Sequence, residues 1–294
     1  MKHKRFEHRS IIERVPKRQA SKGVVLVTVL WFITVLAIFG MGLGRVSWSV
    51  YNFARWRENK LAGEQAVRGI VLMLKLDRKD DLTPEYDSLT ELAQEREYKF
   101  GNIKIVYYMI DEESKININE ATSLILQNLP SMDMDKAVEL VNSELKPFFP
   151  KEEILKVEDI EKEDYAEMKD FITVYGTGAV NMNTCSKEIL EILDFDAGLI
   201  DSIMEFRAGE DEELYTEDDG IFDSTSYIIT SLNECRSLSL TEEQAINSLI
   251  SKKLLGVKGS FYTIHADVYV NDKLVDSYAV LIGKEETYSV YDWQ

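Results

Sequence analysis

Residues 21–45 read SKGVVLVTVLWFITVLAIFGMGLGR, and the reading of this stretch decides where the rest of the chain folds. No residue from Gly23 to Gly44 is charged, and most are Val, Leu, Ile, Phe or Trp. Crossing a bilayer core takes about 20 apolar residues, so the run is just long enough to span. A secretory h-region is usually about 7–15 residues long and ends at a small-x-small cleavage site. FGMGLGR imitates such an ending near Gly44, but the length favours a retained span. Ahead of it, residues 1–22 carry Lys2, Lys4, Arg5, Arg9, Arg14, Lys17, Arg18 and Lys22 against Glu7 and Glu13. By the positive-inside rule this bias holds the N-terminus in the cytoplasm and exports the chain beyond the span.

Charge then divides the chain. The net charge is −18 and the head is +6, so residues 23–294 carry −24. A body this acidic repels polyanions, which argues against nucleic acid and anionic lipid as partners. The two cysteines, Cys185 and Cys235, make no disulfide framework. They could pair in an oxidising compartment if their Cα atoms lie within about 7 Å; the alternative is two small buried residues. The histidines are His3, His8 and His265, and there is no phosphate loop or Ser-His-Asp pattern. No catalytic residue is assigned, an enzyme is not expected, and His265 reads as a residue on a sheet surface.

Outward from the apolar run, residues 45–76 lack Pro and place apolar side chains at Val46, Val50, Phe53, Leu61, Ala66, Ile70 and Met73. These spacings predict one face of an amphipathic helix. Joined to the span at 24–44 it makes one helix over 24–76, roughly 80 Å long at 1.5 Å per residue. Its outer half needs a sheet. EYKFGNIKIVYYMIDEE (97–113) is a β-branched and aromatic run, and GSFYTIHADVYVNDKLVDSYAVLIG (259–283) reads as two strands joined at Asn271–Asp272. Segments 77–114 and 257–294 are thus expected to form a small α+β body, interrupted by a helical insert.

That insert repeats itself. KININEATSLILQNL (115–129) and AVNMNTCSKEILEIL (179–193) align at an offset of 64, with Asn117/Asn181, Asn119/Asn183, Ile125/Ile189, Leu126/Leu190 and Leu129/Leu193 identical. The alternating Asn residues read as helix caps. Second helices are expected over Asp135–Leu145 and Gly198–Arg207, and a further one over Ser239–Leu255 with Thr241 and Gln244 as its capping box. The insert therefore reads as two helix-hairpin-helix, SAM-like units, 115–176 and 177–256.

A Gly closing a basic leader, directly before a membrane run, resembles the class III signal of type IV pilins and pseudopilins. The resemblance implies cleavage of a leader, 1–23, by a prepilin peptidase between Gly23 and Val24, and methylation of the new N-terminus. The fifth mature position, Thr28, departs from the family's usual Glu. A large minor pseudopilin of type II secretion, the K type (GspK family), commonly lacks that Glu and carries a helical insert. KININEA and VNMNTCSKEIL resemble its markers. The resemblance extends from about Gly23 to Ile282. It implies a single-pass inner-membrane protein with a periplasmic C-terminal domain, at the tip of a short pseudopilus. Its partners would be other minor pseudopilins and the inner-membrane assembly platform, and its role to start assembly and support protein export. The alternatives are a plain single-span anchor and a minor pilin of a type IV pilus.

Another class is a membrane-anchored helix-hairpin-helix DNA receptor. Its hairpins here would be PSMDMD (130–135) and DFDAG (194–198), which present Asp133, Asp135, Asp194 and Asp196 where phosphate would need cations. Between Phe206 and Ser224, Glu210, Asp211, Glu212, Glu213, Glu217, Asp218, Asp219 and Asp223 crowd one loop. It lacks EF-hand spacing but resembles the acidic loop after the second helical unit of K-type pseudopilins, some of which bind calcium. That implies Asp211, Glu213, Asp218 and Asp219 as calcium ligands; a solvated acidic surface is the alternative.

Overall fold

The computed structural model describes residues 22–79, 83–216, 218–283 and 289–293, so the expected leader up to Ser21, and Glu217, lie outside the described residues. Two compact units divide the chain, residues 1–58 and 59–294. Helix α1 runs Lys22–Lys79 without a break. Its apolar part is long and apolar enough to cross a membrane, and that stretch is not buried.

In the second unit the last turns of α1 lie on a five-stranded antiparallel sheet. The short helix α2 (Leu89–Leu92) precedes strands β1 (Arg96–Phe100) and β2 (Ile103–Asp111). Much later come β7 (Phe261–Val270), β8 (Lys273–Gly283) and β9 (Ser289–Trp293), in the order β1-β2-β7-β8-β9. Every second side chain of β7 is buried, the period expected when one face is covered. Val67, Ile70, Val71 and Leu74 of α1 meet Ile105, Tyr107, Met109, Tyr262, Ile264, Val268 and Val280 there. Gly63 sets the approach, since a Cβ on it would sit 2.7 Å from Val268 Cγ1. The β7–β8 turn uses Asn271 and Asp272, both at positive φ (50° and 59°), which suits the twist of a two-residue hairpin.

Three features of the body differ from the sequence reading. The β-branched and aromatic run 97–113 supplies two strands, because Gly101, at φ 59°, turns the chain between β1 and β2. The edge strand β9 is an addition to the two strands expected over 259–283. The helical stripe is not one face either. Val46, Val50, Phe53 and Leu61 are exposed, and the buried face is Val67, Ile70, Val71 and Leu74. The five-residue step from Leu61 to Ala66 rotates the pattern by about 140° at 3.6 residues per turn.

Between β2 and β7 lies a single helical core built twice. The first unit holds β3 (Ile116–Asn117), α3 (Ser123–Leu126), α4 (Met134–Asn142), α5 (Lys162–Met168) and β4 (Ile172–Thr173). The second holds β5 (Val180–Asn181), α6 (Lys187–Ile192), α7 (Ala197–Ala208), α8 (Ile228–Cys235), α9 (Leu240–Ser251) and β6 (Leu255–Gly256). In each, the opening strand pairs in parallel with the closing one, β3 with β4 and β5 with β6.

The paired asparagines close these loops and do not cap helices. The caps of α3 and α6 are Thr122 and Ser186. Asn119 instead pairs its amide with the backbone of Phe148, accepting from N–H at 2.8 Å and donating to C=O at 3.2 Å. Asn183 does the same to Phe222 at 2.8 and 3.0 Å. Helix α9 is capped by Ser239 and Glu242, two residues before the expected box. Glu242 also binds Arg236 at 2.6 Å, which favours that register over Thr241 and Gln244.

Asn183→Ala is expected to strand the buried N–H and C=O of Phe222. The loss should be about 2–3 kcal/mol of stability in denaturant titration. Asn119→Ala, at a part-exposed copy of the site, should lose less.

Candidate functional site

Three regions carry polar or exposed groups whose arrangement bears on function. The first is the start of α1. Gly23 and Val24 lie in its first turn, and Val24 is 63% exposed. The Thr28 hydroxyl donates to Val24 O at 2.7 Å and Val25 O at 3.1 Å. Bonding back to the i−4 carbonyl satisfies the one polar side chain at this position from within the helix.

The second is a buried acidic junction where the sheet meets the insert. Asp111 ends β2 and accepts from Asn181 Nδ2 at 2.7 Å, Thr184 Oγ1 at 2.9 Å and Glu113 N at 2.9 Å. Burial, then the nearby Asp87 charge, pushes its carboxyl up to about 7 despite these donors. Asp87 is itself raised by burial, against the opposing pull of Arg78 at 2.8 Å. Burial also works against the Glu112 anion. Lys115, Thr263 and Thr173 outweigh it and hold Glu112 low. Glu113 accepts from Thr177 N at 2.9 Å and from Ser260 N. In the sequence Glu112–Glu113 reads as a solvated surface; both are buried. Their position directly after a β-branched strand, before the first Asn-x-Asn, is the available signal.

Next to this junction, a groove of about 480 Å³ runs between the outer sheet face and the first helical unit, lined by Ile110, Lys151, Tyr175, Thr263, His265 and Leu281. His265 stacks on Tyr108 across the strands, 5.1 Å between rings, in a place consistent with a sheet-surface residue.

The third region is the insert's hairpins and acidic loop. Asp133 and Asp196 cap α4 and α7, accepting from Lys136 N at 2.9 Å and Leu199 N at 3.0 Å. At each of these N-termini one amide that a phosphate would use is therefore already answered by a carboxylate.

In the acidic loop, Asp218 accepts from Glu210 N (2.7 Å) and Asp211 N (3.2 Å), and Asp211 from Glu213 N (2.8 Å). Asp219 takes Tyr215 N at 2.9 Å and Thr216 N at 3.3 Å. Of the four expected calcium ligands, three thus serve the loop's own backbone. Among the described residues no group of three or more His, Cys, Asp or Glu is gathered to hold a metal. The donors are of the right chemistry for calcium, but this arrangement is not a ready-made cage.

The two cysteines sit in different environments. Both are free thiols; Cys185 is buried in the insert core and Cys235 is exposed at the end of α8. Burial pushes the Cys185 thiol up to about 11, so it is inert.

No protein-family model and no curated protein matches the sequence. Among solved structures, a chain from the crystal structure of the GspK-GspI-GspJ complex from the enterotoxigenic Escherichia coli type 2 secretion system superposes with a TM-score of 0.57. Identity is 15%, and the match covers 83% of this chain and 98% of that one. The two share a fold. It is the expected pilin-like α+β architecture, a long N-terminal apolar helix packed on an antiparallel sheet.

Two pH effects of opposite sign are expected. Asp111, raised to about 7, contributes stability that is full below its unfolded pKa of about 4 and is lost as pH rises through 7. Glu242, held at about 2 by Arg236 and the Ser239 amide, contributes above about 4.5 and is lost as pH falls through 2. Urea midpoints of the wild type, Asp111→Asn and Glu242→Gln across pH 2–8 should separate the two windows, each variant flattening its own. In the native protein a thiol reagent should label Cys235 and leave Cys185 until denaturant is added.

Proposed function

We propose that this chain is a minor pseudopilin of a type II secretion system, of the K type, acting at the tip of the pseudopilus. In this reading it begins assembly with the smaller minor pseudopilins. It is cleaved by a prepilin peptidase between Gly23 and Val24, is methylated there, and meets the assembly platform of the inner membrane. The N-terminus of the precursor is cytoplasmic and the sheet and insert are periplasmic.

The observation that carries this reading is the division of labour along α1. Among the described residues the sheet holds α1 from Lys60 onward, through the Lys60–Asp276 ion pair at 2.9 Å, Gly63 and the buried Val67–Leu74 face, and the apolar side chains before it are exposed. A helix built this way can exchange lipid for neighbouring helices without unfolding the body. Thr28 supports a terminal place in the assembly. A carboxylate in the same position would be costly in lipid unless a neighbour answered it, whereas the Thr28 hydroxyl is answered by its own helix.

The test is coexpression with the candidate small minor pseudopilins in their own membrane. The expected result is a detergent-stable complex, containing this chain with a mass that begins at Val24. A mass that includes Met1, or begins near Arg45, contradicts the reading, as does failure to co-purify with any minor pseudopilin. Calcium belongs to the same proposal as a ligand of the acidic loop. It should raise the melting temperature beyond an equal ionic strength of sodium chloride, and Asp218→Ala should remove the difference.

A further inference from the structure

The body's net charge argues against anionic lipid, but one segment of α1 has the opposite character. From Gly23 to Arg57 there is no Asp or Glu, and the first acid is Glu58. Within that stretch Arg45, Arg55 and Arg57 are exposed, together with Trp48 (71%) and Trp56 (49%). We infer that Arg45, Trp48, Arg55 and Trp56 form a headgroup-binding face for anionic phospholipid, on the side of the bilayer from which the sheet-bearing body emerges.

Three observations carry this. The first is continuity. About 20 residues cross the hydrocarbon, so a run from Val24 to Gly44 brings Arg45 to the core boundary. The next 12 residues rise only about 18 Å further, and less when the helix is tilted.

The second is direction. Side chains on an α-helix lean toward its N-terminus. Here that is back toward the membrane, so in a tilted helix the long Arg55 side chain leans toward the phosphate layer. Arg55 packs over the Tyr51 ring at 5.8 Å, and Phe53 stacks on Trp56 at 6.0 Å, which leaves mixed aromatic and cationic surfaces of the kind enriched at the membrane interface.

The third is angular grouping. At about 100° per residue, Arg45, Trp48, Asn52, Arg55 and Trp56 fall within one third of the helix circumference. One surface therefore offers guanidinium groups for phosphate and indole rings for the glycerol region. Polybasic segments next to a membrane gain affinity from each cation near an anionic leaflet.

The inference rests on the span of Gly23–Gly44 and is independent of the proposed role in secretion. It is tested on the full chain with Cys235→Ser and a single fluorophore at Ser49→Cys or Asn52→Cys, reconstituted in nanodiscs. Headgroup-linked quencher lipids report contact. The expected result is strong quenching in discs containing phosphatidylglycerol. It should fall at least threefold in pure phosphatidylcholine and in the Arg45→Gln, Arg55→Gln double variant. A control label at Glu144→Cys should stay unquenched throughout. Quenching at the control level in every disc overturns the inference, and so does protein that fails to remain with the discs. Insensitivity to lipid charge reduces the face to an ordinary aromatic belt and also overturns it. Reversal by millimolar inorganic phosphate would mark a free-phosphate site instead. Fluorophore self-quenching that scales with copies per disc would mark a second copy of the chain as the occupant.

Discussion

Three consecutive carboxylates, Asp111, Glu112 and Glu113, hold the second unit together at the point where the chain leaves the sheet. Each binds a different piece. Asp111 takes Asn181 and Thr184 of the second helical unit. Glu112 takes Thr173 of the first and Thr263 of β7. Glu113 takes Thr177, between the two units, and Ser260 at the return to the sheet. The insert enters and leaves at adjacent antiparallel strands, so its orientation is fixed only if both ends are pinned beside one another. Acceptors do this economically, because one carboxylate has room for several donors and every backbone N–H at a chain crossing is a donor needing a partner.

The junction's cost is visible in its own electrostatics. Asp87 and Asp111 are buried close together, the Asp87 charge raises Asp111, and Arg78 offsets Asp87 directly. Space is as tight as charge. A Cβ on Gly259 would lie 2.2 Å from Asp111 Oδ1, and one on Gly176, at φ 86°, would come within 2.4 Å of the Glu113 side chain. Buried charge that must be fully hydrogen-bonded tolerates few alternative packings. The junction therefore specifies one docking geometry at some expense of stability near neutral pH.

How much of this was legible depends on the range of the interaction. The apolar run, the β7–β8 hairpin and the repeat are local patterns of period, turn chemistry and self-similarity, and the sequence displays them directly. The stripe on α1 failed because one five-residue step moved it round the helix. The β-branched and aromatic run at 97–113 hid a turn because Gly101–Asn102 is short beside the apolar residues around it. Glu112 and Glu113 looked like surface since nothing within ten residues supplies their long-range partners, which lie about 60 to 150 positions away. Asn119 and Asn183 were visible, and their role was misread for the same reason: a cap is a local contact, whereas each reaches a backbone 29 or 39 residues on.

The two copies show how a duplicated unit puts the same side chain to different uses. Their inner bonds agree: Asn117 and Asn181 each accept the N–H two residues on, at 2.9 and 3.1 Å, and the second Asn of each pair clasps a buried Phe. Their outward bonds do not. The Asn117 amide donates to Tyr175 O and Gly176 O, within the first unit and its exit. The equivalent Asn181 amide donates to Asp111, across to the sheet. One side-chain position, identical in both copies, thus closes the first unit on itself and anchors the second to the body. The difference lies in what each faces: Asp111 at the end of β2 receives the second copy's asparagine, whereas the first copy reaches the junction through Thr173 and Glu112.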